Sequence, residues 1–411
     1  MDAPIFKEIL DEQNTAKLAN LYESENPAPE IVELILGIAV EGGASDILFE
    51  PYAAYGLVRA RIDGILHVFT KIPIEAYPPV ISRIKVLAGL DITQHRIAQE
   101  GKITYEYNDR NIELRLAITE VGNGEMAVMR VHDSKTAVYP LSDLGIQEPT
   151  FSSITNLLKL KNGLLLTCGP TGSGKTSTLY SAIQTLNQGR YNIISIEDPV
   201  EYQLPGINQM QVDKERGITF AEGLKVTLRL NPDIIFVGEI RDAETAHIAI
   251  ESALTGHLVL STMHANSAVS AIFRLQDLEV EKFFINSALV GVISQRLVRR
   301  VCESCGTETA PTNEEVQFYQ KITGKTLVSQ RQGSGCTLCS MTGYHGRIGI
   351  YEVLVIDDMI RTLVSHNATE QQIRAFLDQR GFVSIVKDGL NKVDQKLTTV
   401  SEVITNAYVN G

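Results

Sequence analysis

The 411-residue chain has no surplus of positive charge: 37 lysines and arginines face 49 aspartates and glutamates, a net charge of −12. Sequence-independent nucleic-acid binding draws its affinity from cations that displace counterions along the phosphate backbone. The acidic balance therefore argues against that task as the main one and leaves room only for a local basic patch. The sequence also lacks any run of about eighteen apolar residues of the kind that crosses a bilayer. Its start, Met1-Asp-Ala-Pro-Ile-Phe-Lys-Glu8, has neither the basic head nor the apolar centre of a signal peptide, so a cytoplasmic location is expected. What remains is an ordinary globular composition, 44% hydrophobic and 21% charged, long enough for about two or three domains with cores of their own.

Cysteine is scarce, with five residues, yet four of them form two Cys-x-x-Cys pairs, Cys302/Cys305 and Cys336/Cys339, about thirty residues apart. In a reducing compartment such pairs read as metal ligands and not as disulfides. Four thiolates complete a tetrahedral Zn²⁺ shell, and a shell without an open position is structural. The spacing is longer than in common zinc fingers, which predicts a long loop or small subdomain closed by the metal. His345 reads as a loop histidine, and Cys168 as buried packing.

The eight residues Gly169-Pro170-Thr171-Gly172-Ser173-Gly174-Lys175-Thr176 follow an apolar run, Leu164 to Cys168, and precede a helix-like stretch beginning with Ser177. Glycines let the backbone curl so that several N–H groups converge on one phosphate chain, and the positive end of the following helix adds to them. Lys175 is placed to reach the β and γ phosphates, and Thr176 to put its hydroxyl on Mg²⁺. The segment predicts binding of ATP or GTP.

Residues 1–28 read as a polar helical arm and linker. From Glu30 to Val40 apolar residues recur at helical spacing until Gly42-Gly43 stops them. Leu57–Ile62 and Ile65–Phe69 form a hairpin about Asp63-Gly64, and a second hairpin runs from Ile103 to Ile118 about Asn108-Asp109. With a helix over Pro79–Leu87 this predicts an α+β domain over 29–133, then a linker over 134–148. Over 149–411 strand-like runs at Leu164–Cys168, Ile193–Ile196, Ile234–Val237 and Leu258–Ser261 alternate with helical stretches, which predicts a parallel sheet covered on both faces and carrying a cysteine segment at 302–345. Ligands in such sheets lie beyond the carboxyl ends of the strands. Glu197 and Asp198 close one of those runs ahead of Pro199, where a carboxylate can orient the water that attacks the γ phosphate. Glu239 closes another, with Gly238 where many such sites keep an aspartate, so Glu239 is assigned the metal side. His264, just past a third, is a candidate to sense the γ phosphate or to bind a neighbouring carboxylate. Arg229, Arg241, Arg296, Arg299 and Arg300 are anion or interface candidates that spacing alone does not rank.

Taken together, these segments resemble the secretion ATPases that power type II secretion and type IV pilus assembly. Gly169–Thr176 is similar to the Walker A motif of that family, Ile196-Glu-Asp-Pro-Val-Glu201 to its Asp box, Asn231–Asp242 to its Walker B motif, and Thr255–His264 to its His box. Gln295-Arg-Leu-Val-Arg-Arg300, the cysteine pairs and Thr342–Glu352 extend the likeness. The resemblance implies a RecA-like P-loop domain preceded by a PAS-like domain, a homohexamer, nucleotide held between the two domains, and Arg115 and Arg130 approaching its phosphates. It also implies a peripheral position at the inner face of the cytoplasmic membrane and a polytopic platform protein there as partner.

Leu48, Glu100, Asn231 and Ala265 depart from the family's usual histidine, aspartate, aspartate and threonine, none of them in the phosphate-binding core. Many assembly ATPases carry a large domain ahead of the PAS-like unit, and residues 1–28 are short by comparison, so reduced or different contacts to a membrane-side partner are expected. Retraction motors share the ATP motifs but lack the cysteines, which favours the assembly or secretion branch. A retraction motor, a nucleic-acid translocase and a nucleotide-gated scaffold are the competing readings, and no nucleic-acid partner is expected.

Overall fold

The structure is a computed structural model that describes residues 12–24, 27–108, 110–133 and 139–407. Much of the N-terminal arm, Asp109 of the second hairpin turn and residues 134–138 of the expected linker lie outside the described residues. The chain divides into two compact units. One comprises 1–137 with 302–306 and 333–346, and the other 138–301, 307–332 and 347–411.

The first unit runs α1 (Glu12–Leu21), α2 (Ala28–Glu41), β1 (Ala44–Pro51), β2 (Tyr55–Ile62), β3 (Ile65–Pro73), α3 (Tyr77–Leu87), β4 (Gln99–Tyr107), β5 (Arg110–Val121) and β6 (Gly124–Asp133). Its strands make one antiparallel sheet ordered β3-β2-β1-β6-β5-β4. The turn between β2 and β3 needs positive φ at two successive positions. Asp63 (φ 49°) and Gly64 (φ 86°) supply it, as the Asp-Gly pair predicts. The apolar stripe of α2, with Ile31, Val32, Ile35, Leu36 and Ala39, is buried in one core with Ile47, Phe49, Val58 and Ile84. The four cysteines, within 302–306 and 333–346, group with this unit, and Gly346 N–H donates to Asp63 Oδ2 (2.8 Å) at the β2–β3 turn.

The second unit begins with a 3₁₀ turn (Leu141–Leu144) and α4 (Thr150–Leu158), then β7 (Gly163–Cys168), α5 (Lys175–Leu186), β8 (Ile193–Glu197), β9 (Asn208–Gln211), α6 (Phe220–Thr227), β10 (Ile234–Val237), α7 (Ala243–Leu254) and β11 (Leu258–Met263). It continues through α8 (Ala268–Asp277), α9 (Lys282–Ala288), β12 (Leu289–Val301), β13 (Gly306–Thr309), α10 (Asn313–Thr323), β14 (Gln330–Gly333), β15 (Tyr344–Val355), α11 (Asp358–Ser365), α12 (Glu370–Gln379), α13 (Ile385–Asp394) and α14 (Val400–Ala407). The main sheet is ordered β15-β12-β7-β11-β10-β8-β9, parallel from β12 to β9. Every residue of β7, β8, β10 and β11 is buried, because helices cover both faces. Leu164, Leu166, Ile235 and Val259 point into one core, and Leu165, Phe236 and Leu260 into the other. The α/β class with a parallel central sheet agrees with the expectation from sequence.

Candidate nucleotide site

Four neighbouring parallel strands, β7, β11, β10 and β8, end on the same side, and each delivers one of the sequence-predicted residues. Gly169–Thr176 follows β7, His264 follows β11, Glu239 lies two residues beyond β10, and Glu197 is the last residue of β8. The strand ends are tied to one another. Gly238 N–H donates to Ile196 O (2.7 Å), Thr262 Oγ1 to Gly238 O (2.7 Å), and Ile240 N–H to Thr262 O (2.9 Å). The motif residues of β8, β10 and β11 are thereby held in a fixed register.

The phosphate loop is shaped by its glycines. Gly169 sits at φ 154°, and a Cβ there would lie 2.5 Å from both Gln295 O and Ser173 Oγ. Gly172 (φ 77°) and Gly174 (φ 85°) are also left-handed. Gly174 caps α5 without a side-chain hydrogen bond, so the cap itself offers the first-turn amides no side-chain acceptor. Ser173 is buried, and its hydroxyl has no partner among the described residues. A helix N-terminus without a side-chain cap, beside a buried hydroxyl lacking a partner, fits an anionic phosphate chain. Lys175 Nζ donates to Gly169 O (2.9 Å) and Pro170 O (3.0 Å), folding its ammonium over the loop. Desolvation lowers its pKa, while the Glu239 carboxylate works against that shift. Thr176 is half-buried in the first turn of α5, and Ser177 is exposed beside it.

Glu239 accepts an ion pair from Arg241 (Nε to Oε2, 2.5 Å) and lies 3.9 Å from His264 Nε2. Desolvation lowers the His264 pKa, Lys175 and Arg241 push the same way, and Glu239 opposes them. Lys175, Glu239, Arg241 and His264 thus form one electrostatic cluster. Glu197 has a different environment. It is 3% exposed and accepts from Tyr180 Oη, Ser195 Oγ (2.6 Å) and Gln209 Nε2 (3.0 Å). Those three donors escaped the sequence reading. Only Ser195, two residues upstream and hence on the same strand face, carried a signal.

Arg115 and Arg130 oppose each other across β5 and β6 in the first unit. Arg115 Nε pairs with Glu113 (3.1 Å), and Arg130 Nε with Asp46 (3.3 Å).

The cysteine cluster is a separate site. The sulfurs of Cys302, Cys305, Cys336 and Cys339 all lie within 4.8 Å of one another. Measured pairs are 3.8 Å (Cys302–Cys336), 3.7 Å (Cys305–Cys339) and 3.7 Å (Cys336–Cys339). A tetrahedron with Zn–S bonds of about 2.3 Å has edges of about 3.8 Å, so the donor set fits zinc. Cys336 N–H and Gly343 N–H each donate to Cys339 Sγ (3.2 Å), which suits a thiolate ligand.

Comparison with known proteins decides the family. Residues 22–405 match the family described as Type II/IV secretion system protein. The chain belongs to that family. It is 41% identical over 387 residues to the type II secretion system protein E of Dickeya dadantii, covering 94% of this chain and 77% of that protein. It is also 41% identical over 405 residues to the type IV pilus assembly ATPase PilB of Thermus thermophilus, covering 97% of this chain and 45% of that protein. Among solved structures, this family member is similar to the pilus retraction motor PilT with bound ADP (TM-score 0.61, 25% identity, 92% of this chain and 97% of that one). It shares its fold with the ATPase DotB of Legionella pneumophila (TM-score 0.69, 20% identity, 93% and 96%).

Proposed function

We propose that this chain is the ATP-hydrolysing motor subunit of a pilus or pseudopilus assembly machine of the type II secretion and type IV pilus kind. The observation that carries the activity is the convergence of Lys175, Glu239 and His264 beyond adjacent parallel strands, next to a glycine-shaped loop with uncapped helix amides. In this reading the loop amides and Lys175 hold the β and γ phosphates, and charge developing in transfer is stabilised by groups already in place. Glu197, its orientation fixed by three donors, positions the attacking water. His264 responds to the γ phosphate through Glu239. Mg²⁺, held through Thr176 with Glu239 nearby, would neutralise phosphate charge. Zn²⁺ on the four cysteines would close the 302–345 segment as a structural tie.

The finer architecture belongs to the same proposal: a PAS-like domain at 29–133, a linker at 134–148 and a RecA-like ATPase domain at 149–411. So do a homohexameric ring, Arg115 and Arg130 contributing to phosphate binding, a position at the inner membrane face, and a polytopic platform protein as partner. A retraction motor is the second reading. The fit of four sulfurs to zinc supports the assembly branch over it. Phosphate release from Mg·ATP by the full chain tests the activity. Saturable turnover, abolished in Lys175→Ala while circular dichroism stays native, supports it, and turnover unchanged in that variant refutes it.

A further inference from the structure

The Gln295-Arg296 pair in β12 lies against the phosphate loop and is not used by the chemistry above. Gln295 faces the start of α5: its Oε1 accepts from Thr178 Oγ1 (2.7 Å), and its Nε2 stands 2.8 Å from where a Gly174 Cβ would lie. Its backbone carbonyl is one of the two atoms that forbid a side chain at Gly169. Arg296 is 7% exposed. Its Nη1 donates to that same Gln295 carbonyl (3.0 Å), and its Nη2 to Asn266 O (2.8 Å), two residues beyond His264. The guanidinium therefore spans from the seat of the phosphate loop to the segment that carries the proposed sensor. A buried cation is costly unless its donors find acceptors, and here two backbone carbonyls accept from it, Gln295 O in β12 and Asn266 O just past β11. The same segment is anchored again by Cys168 Sγ donating to Ser267 O (3.3 Å) and by the buried Glu352 carboxylate accepting from Ala268 N–H (2.7 Å).

We propose that Arg296 is a positioning residue that locks the Asn266 segment to the phosphate loop, so that nucleotide engagement at Gly169–Thr176 is transmitted to His264. The proposal rests on the ATPase reading of the site. The planar fork is what the role requires, since one group must reach two carbonyls in fixed directions. An ammonium keeps the charge but not the fork. Two variants separate the contributions: Arg296→Lys retains charge alone, and Arg296→Gln retains neither.

The experiment measures hydrogen exchange, ADP affinity and Mg·ATP turnover on the full chain and both variants. Without nucleotide, both variants are expected to speed exchange at residues 264–268 by about tenfold while β8 stays unchanged. With Mg·ADP and a γ-phosphate mimic, the wild type gains protection at 169–176 and at 264–268 together, and the variants gain it only at 169–176. ADP affinity stays within about threefold, while kcat falls about tenfold or more in both variants. Full activity and unchanged exchange in Arg296→Lys overturn the brace. Loss of ADP affinity in Arg296→Gln but not in Arg296→Lys shows a plain electrostatic role and also overturns it. If neither variant folds, the wild-type protection pattern decides, because protection confined to 169–176 contradicts the coupling. A wild type that binds no nucleotide sinks the ATPase reading, and the nucleotide-free exchange still judges the brace.

Discussion

Glu197 and Glu239, both named from sequence, are physically unlike each other. Glu197 is buried and saturated by Tyr180, Ser195 and Gln209, whereas Glu239 lies near Arg241 and His264 with an edge open to solvent. Glu197→Gln turns one acceptor oxygen into a donor facing donors. It should lower unfolding free energy by about 1–3 kcal/mol as well as turnover, whereas Glu239→Gln should cut turnover with a smaller stability change. Urea titrations of both variants check this, and equal destabilisation would contradict it. His264 gives a signed pH prediction. Its folded pKa is below the ordinary value of 6.5, so the unfolded chain takes up the proton first as pH falls. Its contribution to stability is therefore present above pH 6.5 and is lost below that value, through the window down to the depressed folded pKa. If the neutral ring serves turnover, the acid limb of kcat lies below pH 6.5 and changes shape in His264→Asn. A limb above 6.5 would oppose this assignment.

At the scale of elements, the phosphate loop depends on backbone shape more than on side chains. Gly169→Ala must place a Cβ 2.5 Å from Gln295 O at a φ of 154°, and should abolish nucleotide binding with little loss of secondary structure. Calorimetric titration with ADP measures it. Strands β7, β8, β10 and β11 were legible because each is a short apolar run buried on both faces, and the β2–β3 hairpin because Asp63-Gly64 demands one turn type. Strand β9 (Asn208–Gln211) was not legible, since its residues, Asn-Gln-Met-Gln, give no alternation, and neither therefore was the hold of Gln209 on Glu197. The grip of β12 on the phosphate loop was equally hidden, because it joins residues more than a hundred positions apart, Gln295 to Thr178 by a side-chain hydrogen bond and to Gly169 by close backbone approach. The cysteine pairs announced a cluster of four sulfurs. That residues 302–306 and 333–346 group with the N-terminal unit is a matter of tertiary contact, which spacing does not encode. Chelating the proposed zinc, or Cys302→Ser, should speed hydrogen exchange in those residues while ADP affinity at the phosphate loop changes by no more than about threefold. Parallel loss of both in folded protein would contradict the division.

For the whole molecule, the account is a nucleotide site assembled from the ends of four parallel strands in a chain of the type II/IV secretion family. Among the described residues no helix is long and apolar enough to cross a membrane. If the working form is a ring, turnover per chain should rise with protein concentration in step with the assembled fraction seen by sedimentation. Turnover independent of assembly would remove the ring from the mechanism. The central claim is that ATP is gripped at Lys175 and cleaved beside Glu239 and Glu197. Phosphate release from Mg·ATP by assembled wild-type protein, Lys175→Ala and Glu239→Gln tests it most directly. The account predicts saturable release by the wild type, and loss of about a hundredfold or more in both folded variants. Release that persists undiminished in Lys175→Ala, or wild-type protein that neither binds nor consumes ATP, would contradict it.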